Sequence, residues 1–381
     1  MYYAAGVVEE LKRAQQIAVF GAGLVAFEVT SCLMAEPYNL KIDCFLVSDR
    51  KENPMEMLGL PVLLLGSQEC NISKNALIVV AVMEKHLLPI CENLRKYGFD
   101  KIISMTFESD LWSLIQGNYY RELRLKQHKT YQILEEELQR IETDEIRNAE
   151  VHIPSIHIYT AMCHMDRPLK EDLSRYSWEI PIQAGAALTK QKLCGVRDDL
   201  GENISHKNGQ YCELTALYWI WKHDCSDYVG LGHYRRHFNL DRGMLKKLCC
   251  SDIDVVLTIP VLNFPSVREV YRHDHTDSDW ETALEAIRIL EPEYIAAAEE
   301  IQSGNYYYGY NMLIAKRRIL DAYCTWLFPI LGYCEEHCCL KKDRYQSRYI
   351  GFLAERLMGI YFLKHENTYK IAHITKHFVE R

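Results

Sequence analysis

The chain lacks any apolar run approaching the ~18 residues that cross a bilayer, so no segment is expected to span a membrane. Its opening, MYYAAGVVEELKRAQQ, lacks a basic segment followed by a long apolar core, so no secretory leader is expected there. It lacks an excess of basic charge. The formal net charge is -8, which speaks against a general nucleic-acid binder. Local basic clusters still suit an anionic substrate or an anionic membrane surface. A repeated CxxC-type ligand pair is also missing: Cys334-Glu-Glu-His337-Cys338-Cys339 has no second half elsewhere. The 14 cysteines are therefore expected as free thiols in a reducing cytoplasm.

What the chain does hold is enough for two domains with sizeable cores: 381 residues, 48% hydrophobic and 25% charged. The most informative stretch is Tyr228 to Phe238, YVGLGHYRRHF. Its apolar half predicts a buried strand of a parallel sheet. Strands of open α/β sheets deliver chemistry at their carboxyl ends. Here that end presents His233, Arg235 and Arg236, and guanidinium forks match phosphate oxygens. The plainer alternative is a pair of solvated or carboxylate-paired arginines.

Residues 1–115 predict a doubly wound, Rossmann-like domain. Ile17 to Glu28 (IAVFGAGLVAFE) is a strand running into a GxGxxA turn that opens a helix. Further apolar stretches follow at Ile42 to Val47, Leu60 to Leu65, Ala76 to Val82 and Lys101 to Met105. Gly21 and Gly23 would let a phosphate approach the helix start, and Asp49 would hold a ribose hydroxyl. Alternatively the glycines only permit the turn. A helical linker is expected over 116–150, where Ile133, Leu134, Leu138 and Ile141 recur at helical spacing. That stripe would cover a domain edge or serve self-association as a homo-oligomer.

From residue 151 onward the α/β pattern restarts. Strands are expected at Ser155 to Thr160, in the YVGLGHYRR stretch, at Asp252 to Pro260 and at Tyr310 to Ala315. Leu214, Leu217, Tyr218 and Trp221 form one helical stripe, with Glu213 off it and free to face a site. Asn208 is expected to cap that helix. Two long helices are expected around Ile319 to Leu331 and Tyr349 to Leu363.

The first hundred residues resemble the N-terminal Rossmann-like domains of bacterial sugar-modifying enzymes, through Gly21-Ala-Gly23, Val47-Ser-Asp49, Asn53-Pro54 and Gly59-Leu-Pro61-Val62. Residues 155–365 resemble a bacterial family, originally of unknown function, from capsule, exopolysaccharide and lipopolysaccharide gene clusters, grouped with GT-A glycosyltransferases. The matching stretches are Ile180-Pro-Ile-Gln-Ala-Gly185-Ala, Gly201-Glu-Asn-Ile-Ser205 with Lys207-Asn208, Tyr211 to Trp219, Tyr228 to Arg236, Asp279-Trp-Glu-Thr-Ala283 and Gly351 to Arg356.

The resemblance implies a C-terminal GT-A-like domain over 151–381. It implies a cytoplasmic, hexosyltransferase-type enzyme of surface polysaccharide synthesis, peripheral to the inner membrane. Its donor would be a nucleotide-sugar and its acceptor a lipid-linked oligosaccharide. GT-A enzymes usually hold a divalent metal with an Asp-x-Asp after the donor-binding strand. His233, Arg235 and Arg236 stand there instead and would neutralise the diphosphate directly, so no cofactor or metal is expected to be required. Asp252-Ile-Asp254 and Asp277-Ser-Asp279 are Asp-x-Asp by letter, but N-capping is the simpler reading of both. Asp279 and Glu355 are the candidates for the catalytic base, and each has a structural alternative: a helix cap for Asp279, an arginine pair for Glu355. Thr160, Asn203, Ser205, Lys207, Asn208 and Glu213 are candidates for the donor, with Asn311 for sugar or acceptor. Two other functions compete: an NAD-dependent sugar-nucleotide oxidoreductase centred on the GAG turn, and a non-catalytic nucleotide-binding scaffold.

Overall fold

Runs of Val, Ile, Leu and Phe with no polar interruption form the centre of the first sheet. In the computed structural model, which describes residues 2–51, 53–141, 154–171 and 173–379, β1 (Ile17–Phe20), β2 (Cys44–Val47) and β5 (Leu77–Val80) are buried at every position. Such runs suit parallel strands covered on both faces. With β3 (Glu56–Met57), β4 (Leu60–Leu64) and β6 (Ile102–Ser104) they make a sheet of order β3-β4-β2-β1-β5-β6. All pairings are parallel except the β3–β4 hairpin.

The chain divides into two compact units, Met1–Tyr131 and Gln132–Arg381, so the boundary lies beyond the expected 115. The helix Asp110–Lys126, capped by Ser109 Oγ accepting from Trp112 N, belongs to the first unit and buries Trp112, Ile115 and Tyr120. The expected 116–150 linker is therefore not one element. Residues 116–126 continue that helix, Gln132–Ile133 form strand β7, and Leu134–Gln139 form a short helix. Leu134 and Leu138 are buried in the second unit's own core, which takes them out of any self-association stripe. Residues 142–150 lie outside the described residues.

The second unit is built on a mixed sheet rather than a parallel one. Its strands are β8 (Ile156–Met162), β9 (Ile180–Gln183), β10 (Val196–Arg197), β11 (Tyr228–His233), β12 (Arg236–Phe238), β13 (Val255–Thr258), β16 (Leu313–Lys316), β17 (Ile371–Ile374) and β18 (Lys376–Phe378). The order is β10-β9-β8-β11-β16-β13-β17-β7, and β12 pairs both β11 and β18. β16 runs antiparallel between β11 and β13. A small ribbon of β14 (Val261–Leu262) and β15 (Tyr306–Tyr307) stands apart.

Alternation along these strands feeds two cores. Val229, Leu231, Val255, Leu257, Leu313 and Ala315 pack with the helices Leu214–His223, Arg317–His337 and Tyr349–Lys364. Tyr228, Val256, Met312 and Ile314 pack with Phe238, Leu245 and Leu248. Gly230 sits where a Cβ would come within 2.8 Å of Ile314 Cγ1, so its lack of a side chain lets the sheet pack there. In Leu214–His223 the buried stripe is Leu214, Leu217 and Ile220, whereas Tyr218 and Trp221 are half-buried against Phe328.

Candidate active site

β11 does not simply end in two arginines. It turns through Tyr234 and Arg235 and returns as β12, with His233 paired to Arg236. The turn is pinned by Tyr234 N donating to Ala161 O at 3.0 Å. The Arg236 guanidinium lies 4.1 Å from the Tyr310 ring centroid, and that of Arg235 lies 4.7 Å from Phe378. Aromatic faces hold guanidinium groups in this way, and in-plane N–H groups are what such a group offers phosphate oxygens. His233 is half-buried beside Tyr234, with ring centroids 5.0 Å apart.

A cavity of about 700 Å³ opens at the carboxyl end of β8. Thr160, Met162, Tyr176, Glu179, Tyr234 and His237 contribute to its wall. Thr160 Oγ1 donates to Glu179 Oε2, and His237 Nδ1 lies 2.7 Å from the same oxygen. Tyr176 stacks on His237 at 4.2 Å and 14°.

A second cluster lies where β16 begins. Tyr310 and Asn311 take left-handed backbone conformations (φ 71° and 52°), and so does Cys212 (φ 50°). Left-handed non-glycine residues are costly and persist where their surroundings hold them. The expected strand Tyr310 to Ala315 therefore starts only at Leu313, because these two residues form the turn that precedes it. Glu355 holds the turn, with Oε1 accepting from Tyr310 N at 2.7 Å and Oε2 pairing with Arg356 at 2.7 Å. Asn311 Nδ2 donates to Glu213 Oε1 at 2.7 Å and to Gly351 O at 3.3 Å. Arg348 Nε donates to Cys212 Sγ at 3.1 Å. Burial raises the Glu213 carboxyl above the usual carboxylate range; the Asn311 hydrogen bond opposes this and the Glu355 charge adds to it. Asn311 takes Oε1 of Glu213, whereas both oxygens of Glu355 are used.

Residues 157–367 match the family described as domain of unknown function DUF4422. The chain belongs to this family. The DUF4422 segment contains the hairpin, the cavity wall and the carboxylate cluster. Among solved structures, the apo structure of WbbM, a bifunctional glycosyltransferase, is similar at 28% identity and a TM-score of 0.54. The likeness covers 60% of this chain and 46% of that one, so it spans less than half of WbbM. No curated protein matches.

Within the DUF4422 segment several motif residues serve the scaffold. Asp198 accepts from Gly185 N, Ala186 N and Ser205 Oγ, which fixes the turn after β9. Gly185 has φ 66°, and a Cβ there would meet Asn208 Cγ at 2.6 Å. Asn208 Nδ2 donates to Cys212 O and Thr215 Oγ1. It lies inside a short turn of helix and does not cap Leu214–His223. Asn203 closes a local turn, donating to Gly201 O and accepting from Ser205 N. Lys207 pairs with Glu335 at 2.7 Å. Asn203, Ser205, Lys207 and Asn208, expected at the donor, are thus engaged with the protein itself.

Asp279 is also engaged with the protein itself. It is nearly fully buried and pairs with Lys341 at 2.6 Å. Thr276, not Asp279, occupies the cap position of its helix. Asp254 pairs with Lys316 and Arg318, and Asp277 with Arg268. No group of three or more His, Cys, Asp or Glu among the described residues is placed to hold a metal ion. Cys334 packs in the core of the helix Arg317–His337.

In the first unit Gly21 has φ 123°, its N–H bonds Leu46 O, and a Cβ there would meet Ala81 O at 2.6 Å. Close packing therefore accounts for Gly21. Gly23 precedes the helix Leu24–Met34 with open space around it. Asp49 Oδ1 accepts from Lys51 N in its own loop.

The sequence reading gave no site role to Glu179, His237, Cys212 or Arg348. All lie in or beside stretches that carried the resemblance. Glu179 directly precedes Ile180, His237 follows Arg236, Cys212 sits inside Tyr211 to Trp219, and Arg348 lies three residues before Gly351.

Proposed function

We propose that the second unit transfers a sugar from a nucleoside diphosphate to a hydroxyl acceptor. The observation that carries this is the β11–β12 hairpin. Tyr234 contributes to the cavity wall, and Arg236 packs on Tyr310, whose N–H is held by Glu355. A cavity for a base, cations for a diphosphate and a carboxylate cluster thus adjoin along one sheet edge. The likeness to WbbM and a GT-A-like placement of the cavity after the unit's first long strand support the same reading.

Arg235 and Arg236 neutralise the diphosphate as it leaves, and His233 sits at their base. Glu213 accepts the acceptor's proton; its raised affinity for a proton suits that role. Asn311 orients Glu213, and Glu355 is a positioning residue that holds Tyr310 and Asn311 in their turn. A divalent ion on the diphosphate would be repelled by the cationic hairpin, and no step of this reading runs through one.

The acceptor in this reading is a lipid-linked oligosaccharide of a surface polysaccharide, met at the cytoplasmic face of a membrane. No helix among the described residues is long and apolar enough to cross a bilayer. The strand order and glycine turn of the first unit support a Rossmann-like positioning module. The test is release of nucleoside diphosphate by the full chain from a panel of nucleotide-sugars, beside thermal shifts with nucleoside diphosphates and NAD(H). Stabilisation by NAD(H) alone, with no release, would replace this function with the oxidoreductase. Arg235→Ala or Arg236→Ala should weaken nucleoside-diphosphate binding by about 1.5–3 kcal/mol and leave nucleoside binding nearly unchanged, as read by calorimetry. Equal losses for both ligands would make the arginines structural.

A further inference from the structure

The polar floor of the cavity is built around one carboxylate. The Glu179 side chain is 5% exposed and that of His237 is 3% exposed. Glu179 Oε2 is committed twice, to the Thr160 hydroxyl and to His237 Nδ1. Oε1 has no partner among the described residues, although the side chain lines the cavity. Asp166, also on the wall, is turned back on its own loop, with Cys163 N at 2.7 Å and Cys163 Sγ at 3.4 Å. A carboxylate oxygen accepts hydrogen bonds, so one on the cavity wall without a protein donor is left for a donor brought by a ligand. The surrounding wall is largely apolar, with Met162, Leu169, Leu173 and Leu193. Such a space suits a flat ring that brings one N–H.

We infer that the cavity recognises a pyrimidine imide, uracil or thymine, whose N3–H donates to Glu179 Oε1. This rests on the reading of the second unit as a nucleotide-sugar enzyme. Cytosine N3 and adenine N1 are acceptors and would set lone pair against lone pair. Guanine offers two parallel donors that call for both carboxylate oxygens, and Oε2 is already taken. His237 Nε2 also has no hydrogen-bond partner among the described residues. Tyr176 stacked on the ring fixes its plane.

The test is calorimetric titration of the full chain with UDP, dTDP, N3-methyl-UDP, CDP, ADP and GDP. UDP or dTDP should bind more tightly than N3-methyl-UDP, CDP and ADP by on the order of 10- to 100-fold, the worth of one charge-assisted hydrogen bond. The ratio of UDP to dTDP tells which pyrimidine is meant. Glu179→Ala should bring UDP and N3-methyl-UDP to equal affinity. If that variant fails to fold, the comparison of ligands on the unaltered chain decides. Equal binding of UDP and N3-methyl-UDP to the unaltered chain, or tightest binding of CDP, ADP or GDP, overturns the inference alone. Binding of none of the six overturns the glycosyl-transfer reading with it.

Discussion

Glu213→Gln should lower turnover about 10²- to 10⁴-fold, the usual worth of a positioned general base. Nucleoside-diphosphate affinity should change little, because Glu213 faces the acceptor side of the cluster in this reading. The amide keeps the size and the contact with Asn311 but cannot take a proton. The sign of the pH effect follows from the raised carboxyl. A base with a raised proton affinity is inactive while protonated, so turnover should climb as pH rises through a value above the ordinary carboxylate range. Glu213→Gln should flatten that limb. Glu355→Gln should show a smaller loss of turnover with the limb retained, since Glu355 acts through Tyr310 and Asn311. A Glu213→Gln enzyme with full turnover, measured as nucleoside diphosphate released under saturating donor, would remove Glu213 from the chemistry.

Lys341→Ala should destabilise the second unit by about 3–5 kcal/mol, the cost of leaving one member of a buried ion pair alone. Lys341 and Asp279 are 8% and 1% exposed and 2.6 Å apart. The lysine is held by Asp279 Oδ1, and Oδ2 has no hydrogen-bond partner among the described residues, so no side chain replaces the lost charge. Urea denaturation reads the effect as a lower midpoint. Asp279→Asn should likewise lose stability while the folded fraction keeps its turnover. A variant of ordinary stability with no turnover would return Asp279 to the catalytic base role that its motif suggested.

Fold and site were legible to different degrees. The first sheet could be read strand by strand, because its central strands are buried on both faces and show as uninterrupted apolar runs. β17 and β18 escaped because they are short and follow a long apolar helix, and only pairing with β13 and β12 makes them strands. The antiparallel insertion of β16 is invisible locally, since direction is set by the partners on either side.

At the site, Glu213, Asn311, Glu355 and Arg236 were named from the sequence and lie in one connected cluster. Motif membership could not separate them from Ser205, Asn208 and Asp279, whose side chains build turns or a buried pair. That distinction depends on which acceptors are already filled. Glu179 shows the same limit from the other side. A lone glutamate after a tryptophan carries no signal until Thr160 and His237 are seen to share one of its oxygens.

The most direct test is donor turnover by the full chain in excess EDTA, beside the Arg235→Ala, Arg236→Ala double variant. If the hairpin arginines do the neutralising that a divalent ion would do, the unaltered chain keeps its rate in EDTA and the double variant loses its rate with or without metal. Activity abolished by EDTA, restored by manganese or magnesium and indifferent to the two arginines would contradict this.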